Sequence, residues 1–267
     1  MEKAIIYQIF TRLFGNTNTT RKHNGTLTDN GCGKLNAFTP AVLRRIKELG
    51  ATHVWYTGVI RHATTTDYTR YGIPRQHPAV VKGNAGSPYA ITDYYDIDPD
   101  LATNVEKRMN EFESLVKRTH KAGLKMIIDF VPNHVARQYK STAKPKGIAD
   151  FGENDNTGMQ FSPQNNFYYC PEQSFAADID LYHGEELPYE EFPAKATGND
   201  CFGNRPGRND WYETVKLNYG VDYCDAGGVS THFSPTPDTW KKMLDILLRW
   251  TGKRGDEFRY EMAEMVP

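Results

Sequence analysis

A chain of 267 residues, 39% hydrophobic and 12% aromatic, is long enough to bury the core of a globular domain. Its 32 basic and 33 acidic residues leave a formal charge of -1, and no Lys/Arg run is long enough to track a phosphate backbone, so nucleic acid is not an expected partner. No apolar stretch approaches the roughly 20 residues that span a bilayer, and "MEKAIIYQIF" lacks a basic n-region and a small-residue cleavage site. The expectation is a chain with no signal peptide and no membrane partner, cytoplasmic or of unknown compartment, since Cys32, Cys170, Cys201 and Cys224, without C-x-x-C spacing, do not decide it. They read as reduced structural thiols.

Along the chain, residues 4–10 ("AIIYQIF") and 51–60 ("ATHVWYTGVI") are short, rich in β-branched and aromatic residues, and apolar on both parities, as strands buried on both faces are. Between them Thr39 can N-cap a helix with Pro40 in its first turn and Val42, Leu43, Ile46 and Leu49 as its stripe, ended by Gly50. A second helix is predicted after "YAITDYYDIDPDL", with Thr103 and Glu106 at capping-box spacing and Gly123 as its stop. A third strand follows over 124–131. About a hundred residues then pass without a convincing long helix or strand ladder. A third helix opens at Pro237 with Trp240, Met243, Leu244, Leu247 and Leu248 as its stripe, and "EFRYEM" is a fourth strand.

Strand, helix and strand in alternation, with short αβ turns and long βα loops, predict an α/β fold of the TIM-type (β/α)8 barrel, of which only about the first four strands are here. The expected parts are 1–132 as the first part of the barrel, 133–235 as an insert after strand 3, and 236–267 as the third helix and fourth strand. Four strands leave two parallel edges, which implies either a truncated domain or closure by a partner, including self-association through the open edges.

In such a barrel, chemistry sits at the C-terminal ends of the strands. Asp129 lies in an apolar strand, where a carboxylate is costly unless paired, and Arg259 on the neighbouring strand can pair with it. Arg259 and Glu261 are two apart and share a strand face. With His134 they would converge on one barrel mouth. The loop carrying Tyr89, Tyr94 and Tyr95 with Asp93, Asp96, Asp98 and Asp100, with "NNFYYC" and "NDWYETVKLNY" in the insert, reads either as a sugar-facing aromatic surface or as loop packing with solvated acids. Its D-x-D spacing lacks the glycine and distal Glu of an EF-hand, and "GNDCFGNR" lacks the Lys-Ser/Thr of a Walker motif. A metal site built on Asp129, Asn133 and His134 has an incomplete ligand set.

"DFVPNH" ending a third strand, "FRYEMAEMVP" on a fourth and "YAITDYYDIDPDL" before the second helix resemble the α-amylase family, glycoside hydrolase family 13. The resemblance covers nearly the whole chain as the N-terminal half of that family's catalytic barrel, with the insert as its domain B and "VKLNYGVDY" near a family segment. It implies a retaining hydrolase of α-glucosidic linkages in starch-like glucans or maltooligosaccharides. It also implies Glu261 at the nucleophile position, Arg259 orienting it, Asp129 steadying Arg259, His134 on sugar hydroxyls and Tyr89 as a stacking platform. Asn133 matches a position that ligates structural calcium, the one cofactor the resemblance admits.

Two departures accompany the resemblance. The family's Gly-Phe-Arg-x-Asp is here Glu257-Phe258-Arg259-Tyr260-Glu261, which lengthens the nucleophile by a methylene. The general acid and a third carboxylate belong to later strands, and Glu264, past the strand end, reads as a solvated acid. The chain alone is therefore expected to be inactive. The alternative is a non-catalytic glucan-binding or assembly protein.

Overall fold

Four short parallel strands carry the fold, and each is joined to the next through a helix, as parallel pairing requires. The computed structural model describes residues 3–182, 186–253 and 255–267. Strands β1 (Ile6–Phe10), β2 (His53–Thr57), β3 (Lys125–Phe130) and β4 (Glu257–Tyr260) lie side by side in that order. Helices α1 (Pro40–Glu48), α2 (Arg108–Lys121) and α3 (Asp238–Gly252) make the crossings. The expected four-strand order is therefore present, with the long insert after β3.

Register divides the sheet into two working faces. Gln8, Trp55, Ile127 and Glu257 form one cross-strand row, and Asp129 pairs with Arg259 two residues on, on the same face by the two-residue period. The opposite face presents Val54, Tyr56, Met126, Ile128 and Phe130 to Leu43 and Ile46 of α1, Phe112 and Leu115 of α2, and Met243 and Ile246 of α3 in one hydrophobic cluster. Packing takes one face, leaving the other for polar groups.

The helices form for legible local reasons, with two corrections. Thr39 caps α1, its Oγ1 accepting from the Val42 amide at 3.3 Å with Pro40 in the first turn. The Thr103–Glu106 capping box does not form. Asn104 instead accepts from the Glu106 amide, a 3-10 turn (Val105–Lys107) intervenes, and the Thr103 and Asn104 amides donate to Glu111 at 2.9 and 2.8 Å. On α3 the buried face is Thr239, Lys242, Met243, Ile246 and Trp250, while Leu244 and Leu248 are 56% and 60% exposed. The stripe was placed one residue off because Leu at 244, 247 and 248 outweighed Trp250, whose indole also donates to the Tyr94 carbonyl.

The loop before α2 also differs from expectation. Ile91–Ile97 is a buried strand paired antiparallel with Ile60–His62. Its acids are paired rather than solvated: Asp93 and Asp96 with Arg61, Asp96 also with Arg108, Asp98 with His62 and Asp100 with Arg12. Tyr94 is core. Buried carboxylates persist where such partners exist.

Residues 133–235 hold no helix among those described, only ribbons of two or three residues per strand. His134–Ala136 pairs with Thr214–Lys216, Tyr169–Cys170 with Ala194–Lys195, and Val221–Asp222 with Ser230–Thr231. Buried polar ties replace a regular core: the Arg137 guanidinium meets Glu191 at 2.6 Å and donates to the Tyr212 carbonyl at 2.7 Å. Phe167, Tyr168 and Tyr169 are buried, so "NNFYYC" is packing. All four cysteines carry free thiols, and no helix among the described residues is long and apolar enough to cross a membrane.

Candidate active site

At the C-terminal ends of β3 and β4 the exposed polar face becomes a cluster. Asp129 is 4% exposed; the Trp55 indole donates to its Oδ1 at 2.9 Å and the Gly58 amide to its Oδ2 at 3.0 Å. Burial pushes its carboxyl up to about 6, against those hydrogen bonds and the nearby Arg259 charge. Gly58 can approach because its φ of 79° suits glycine, and Pro88 leaves no room for a side chain there.

Arg259 lies in the middle of the cluster. Its guanidinium is 3.9 Å from Asp129 Oδ1 and in contact with the Glu261 carboxylate. Its central carbon lies 5.2 Å from the Trp55 ring centroid and 5.6 Å from that of Tyr89, both within cation–π range. Glu261 follows β4 directly, with its amide donating to the Phe130 carbonyl at 2.9 Å. Met262, in the left-handed region at φ 51°, then turns the chain back toward the insert. Glu257, which stands where a family glycine was expected, is at the other end of the strand, 3.0 Å from His53 and 3.6 Å from Lys125, away from the cluster.

Tyr89 and His134 line the same pocket as Glu261, with Lys82, Ser87, Trp211, Glu213 and Thr214. Tyr89 is half-buried and its phenol is raised by burial. His134 is 3% exposed; burial and the Lys216 charge push its imidazole down to about 3, so it is a neutral ring at physiological pH. The Asn133 side-chain nitrogen lies 3.1 Å from its Nδ1, and Trp211 packs with a centroid separation of 5.3 Å. Asp129, Arg259, Glu261, His134 and Tyr89 are thus brought together. Glu264 is exposed, as expected.

Asn133 does not join them as a cation ligand. Its Oδ1 accepts from the Lys216 ammonium at 2.6 Å and its Nδ2 donates to the Gly198 carbonyl at 2.7 Å. The same ammonium is 2.8 Å from Asp200 and 3.2 Å from the Met265 carbonyl. A buried lysine head already sits among the oxygens a calcium ion would need, and two cations cannot share them. Among the described residues no group of three or more His, Cys, Asp or Glu could hold a metal. In this structure Asn133 therefore serves the Lys216 ammonium.

Sequence reasoning missed Trp55 and Lys82, and reached Trp211, Glu213 and Lys216 only as part of the stretch "NDWYETVKLNY". Trp55 was legible in principle, two residues before Thr57 on the strand face that carries Asp129 and Arg259. Trp211, Glu213 and Lys216 depend on how an irregular insert folds back, and Lys82 on the loop between Ile60–His62 and Ile91–Ile97.

The model of the alpha-amylase catalytic domain matches residues 8–197. The chain belongs to the α-amylase family. The trehalose-6-phosphate hydrolase of Bacillus subtilis is 32% identical over 139 residues, which are 52% of this chain and 18% of that protein. Maltase A2 of Drosophila melanogaster is 28% identical over 174 residues, 61% of this chain and 24% of that protein. The crystal structure of an α-amylase from Lactobacillus plantarum superposes with a TM-score of 0.53 at 22% identity, covering 99% of this chain and 39% of that one. That likeness concerns the fold, the TIM-type barrel of which these four parallel strands form part. The chain thus spans well under half the length of the α-amylase-family proteins it matches.

Proposed function

We propose that this α-amylase-family chain carries the nucleophile side of a retaining α-glucosidase site, acting on starch-like glucans or maltooligosaccharides within a longer or assembled protein. The observation that carries the reading is Arg259, in contact with Glu261, beside Asp129 and between the Trp55 and Tyr89 rings at the C-terminal ends of parallel strands. A guanidinium held on three sides can orient one carboxylate for attack on an anomeric carbon. Asp129 and Trp55 position Arg259; Tyr89 offers a ring face to the sugar; His134, a neutral imidazole, suits hydrogen bonds to hydroxyls rather than proton transfer. Residues 133–235 are proposed as domain B.

Double displacement also requires a proton donor about 5 to 5.5 Å from the nucleophile. Glu213, the other acid lining the pocket, is ion-paired with Lys82 at 3.1 Å. Turnover by this chain alone is therefore expected near background. A reducing-sugar assay on maltoheptaose with the pure chain and Glu261→Gln tests this: activity that disappears in the variant would show that the chain supplies its own acid.

A second reading, a glucan-binding protein that assembles through its sheet edges, is favoured by Ile6, Tyr7 and Phe10 on β1, exposed by 52%, 39% and 39%, and by Tyr260 on β4, exposed by 49%. It would give saturable maltoheptaose binding without cleavage.

A further inference from the structure

Away from the site, the insert gathers three of the chain's four thiols. Cys170 lies on the Tyr169–Cys170 strand, Cys201 ends the turn over 197–201, and Cys224 follows Val221–Asp222. Rings next to them are in mutual contact. The centroids of Tyr168 and Phe202 are 5.1 Å apart, those of Tyr168 and Tyr223 6.1 Å, and those of Phe202 and Tyr223 5.4 Å. Tyr168 and Cys170 are two apart along an extended segment and share a face. The thiol therefore follows the ring toward Phe202, and Cys170 Sγ donates to the Phe202 carbonyl at 3.2 Å. Three segments far apart in sequence thus each bring one thiol to the rim of one aromatic cluster.

Electrostatics gives the thiols different parts. Burial raises the Cys170 thiol, and the neighbouring Cys201 raises it further. Burial likewise pushes Cys224 up to about 11, with Asp222 and Cys170 adding to the effect. Cys170 is thus the thiol that both others face, and it stays protonated at neutral pH. Cys201 is half-buried beside the exposed Gly203, where an oxidant can reach it. Its turn also backs the candidate active site. The Thr197 amide donates to the Cys201 carbonyl at 3.0 Å, the Gly198 carbonyl accepts from Asn133, and Asp200 meets Lys216.

We propose that Cys170 and Cys201 form a reversible disulfide that fastens the Tyr169–Cys170 ribbon to this turn, with a small-molecule disulfide such as glutathione disulfide as oxidant. The Cys201 thiolate displaces one glutathione thiolate and forms a mixed disulfide. Cys170, once deprotonated, attacks Cys201 Sγ and releases the second glutathione. The two thiol protons and two electrons end on the two glutathiones, and excess thiol reverses both steps. Cys224 stays reduced. None of this depends on the α-glucosidic reading.

The full chain is equilibrated with glutathione disulfide in excess over glutathione, its remaining thiols are capped with N-ethylmaleimide, and unreduced peptides are mapped by mass spectrometry. Free thiols should fall from four to two, and a linked pair of Cys170 with Cys201 should appear and vanish on adding dithiothreitol. Cys32 and Cys224 should carry the cap. Cys224→Ser should keep the linked pair, and Cys201→Ser should abolish it. The bridge closes a loop of about thirty residues, so the oxidised native chain should melt several degrees above the reduced one, a difference that Cys201→Ser should lose. A capped Cys170, glutathione left on Cys201, or a bridge to Cys224 or Cys32 instead would overturn the inference. So would an oxidised chain that melts below the reduced one, because the bridge would then strain the fold rather than fit it.

Discussion

His134 and Asp129 are displaced in opposite directions by the same cause, burial, and their effects on stability oppose each other. The folded imidazole lies at about 3 against an ordinary 6.5, so its contribution is present above 6.5 and lost as pH falls toward 3. The folded Asp129 carboxyl lies at about 6 against 3.8, so its contribution is present below 3.8 and lost as pH rises through 6. His134 is displaced further. The chain should lose thermal stability on acidification below about pH 6.5, and His134→Gln should flatten that loss while Asp129→Asn steepens it. An unchanged pH profile in His134→Gln would contradict the burial argument. Lys216 makes a second test. Its ammonium is buried, so Lys216→Met should cost about 1–3 kcal/mol by leaving the buried Asn133 oxygen without its donor, while Asp200, 38% exposed, stays solvated. Because that ammonium takes the oxygens, EDTA or added calcium should leave the native melting temperature where it is.

Among the elements, the strands were the most legible and α3 was the instructive miss. Short β-branched and aromatic runs announce strands, and all four strands of the sheet lie inside the predicted bounds, although β1 and β4 at its edges are largely exposed rather than buried on both faces. On α3, periodicity saw a stripe of leucines, yet packing chose Met243, Ile246 and Trp250. A sequence cannot say which of two adjacent apolar stripes will meet the sheet. The distinction is measurable: Ile246→Ala should cost about 2–5 kcal/mol in urea unfolding, and Leu248→Ala less than about 0.5. Equal costs would restore the original stripe. The α1 cap is the local control, since Thr39→Ala should cost about 1 kcal/mol through the lost bond to the Val42 amide.

For the molecule as a whole, the site residues on the sheet were readable from strand position, whereas those from the insert were not. Asp129, Arg259 and Glu261 lie on or just past strands whose geometry is regular. Trp211 and Glu213 reach the pocket through turns held by buried polar ties such as Arg137 to Glu191, and Lys82 from the loop before Ile91–Ile97; no period in the sequence encodes such ties. The same scale governs association. Apolar side chains along β1 and β4 favour strand addition, so sedimentation should report a particle heavier than 30.4 kDa. Ile6→Lys with Tyr260→Lys should return it to the single-chain mass; a native chain already at that mass would remove the assembly reading.

The Lys216 clamp also has a kinetic meaning. Its partners Asn133 and Met265 are 83 and 49 residues away along the chain, so it ties the start of the insert to the turn after β4. During synthesis the sheet's first three strands can pair while the insert still lacks Met265, and only emergence of the last strand and turn lets lysine, asparagine and carbonyl meet. The clamp therefore closes only after β4 has been made. Until then Arg259 is absent from between the Trp55 and Tyr89 rings.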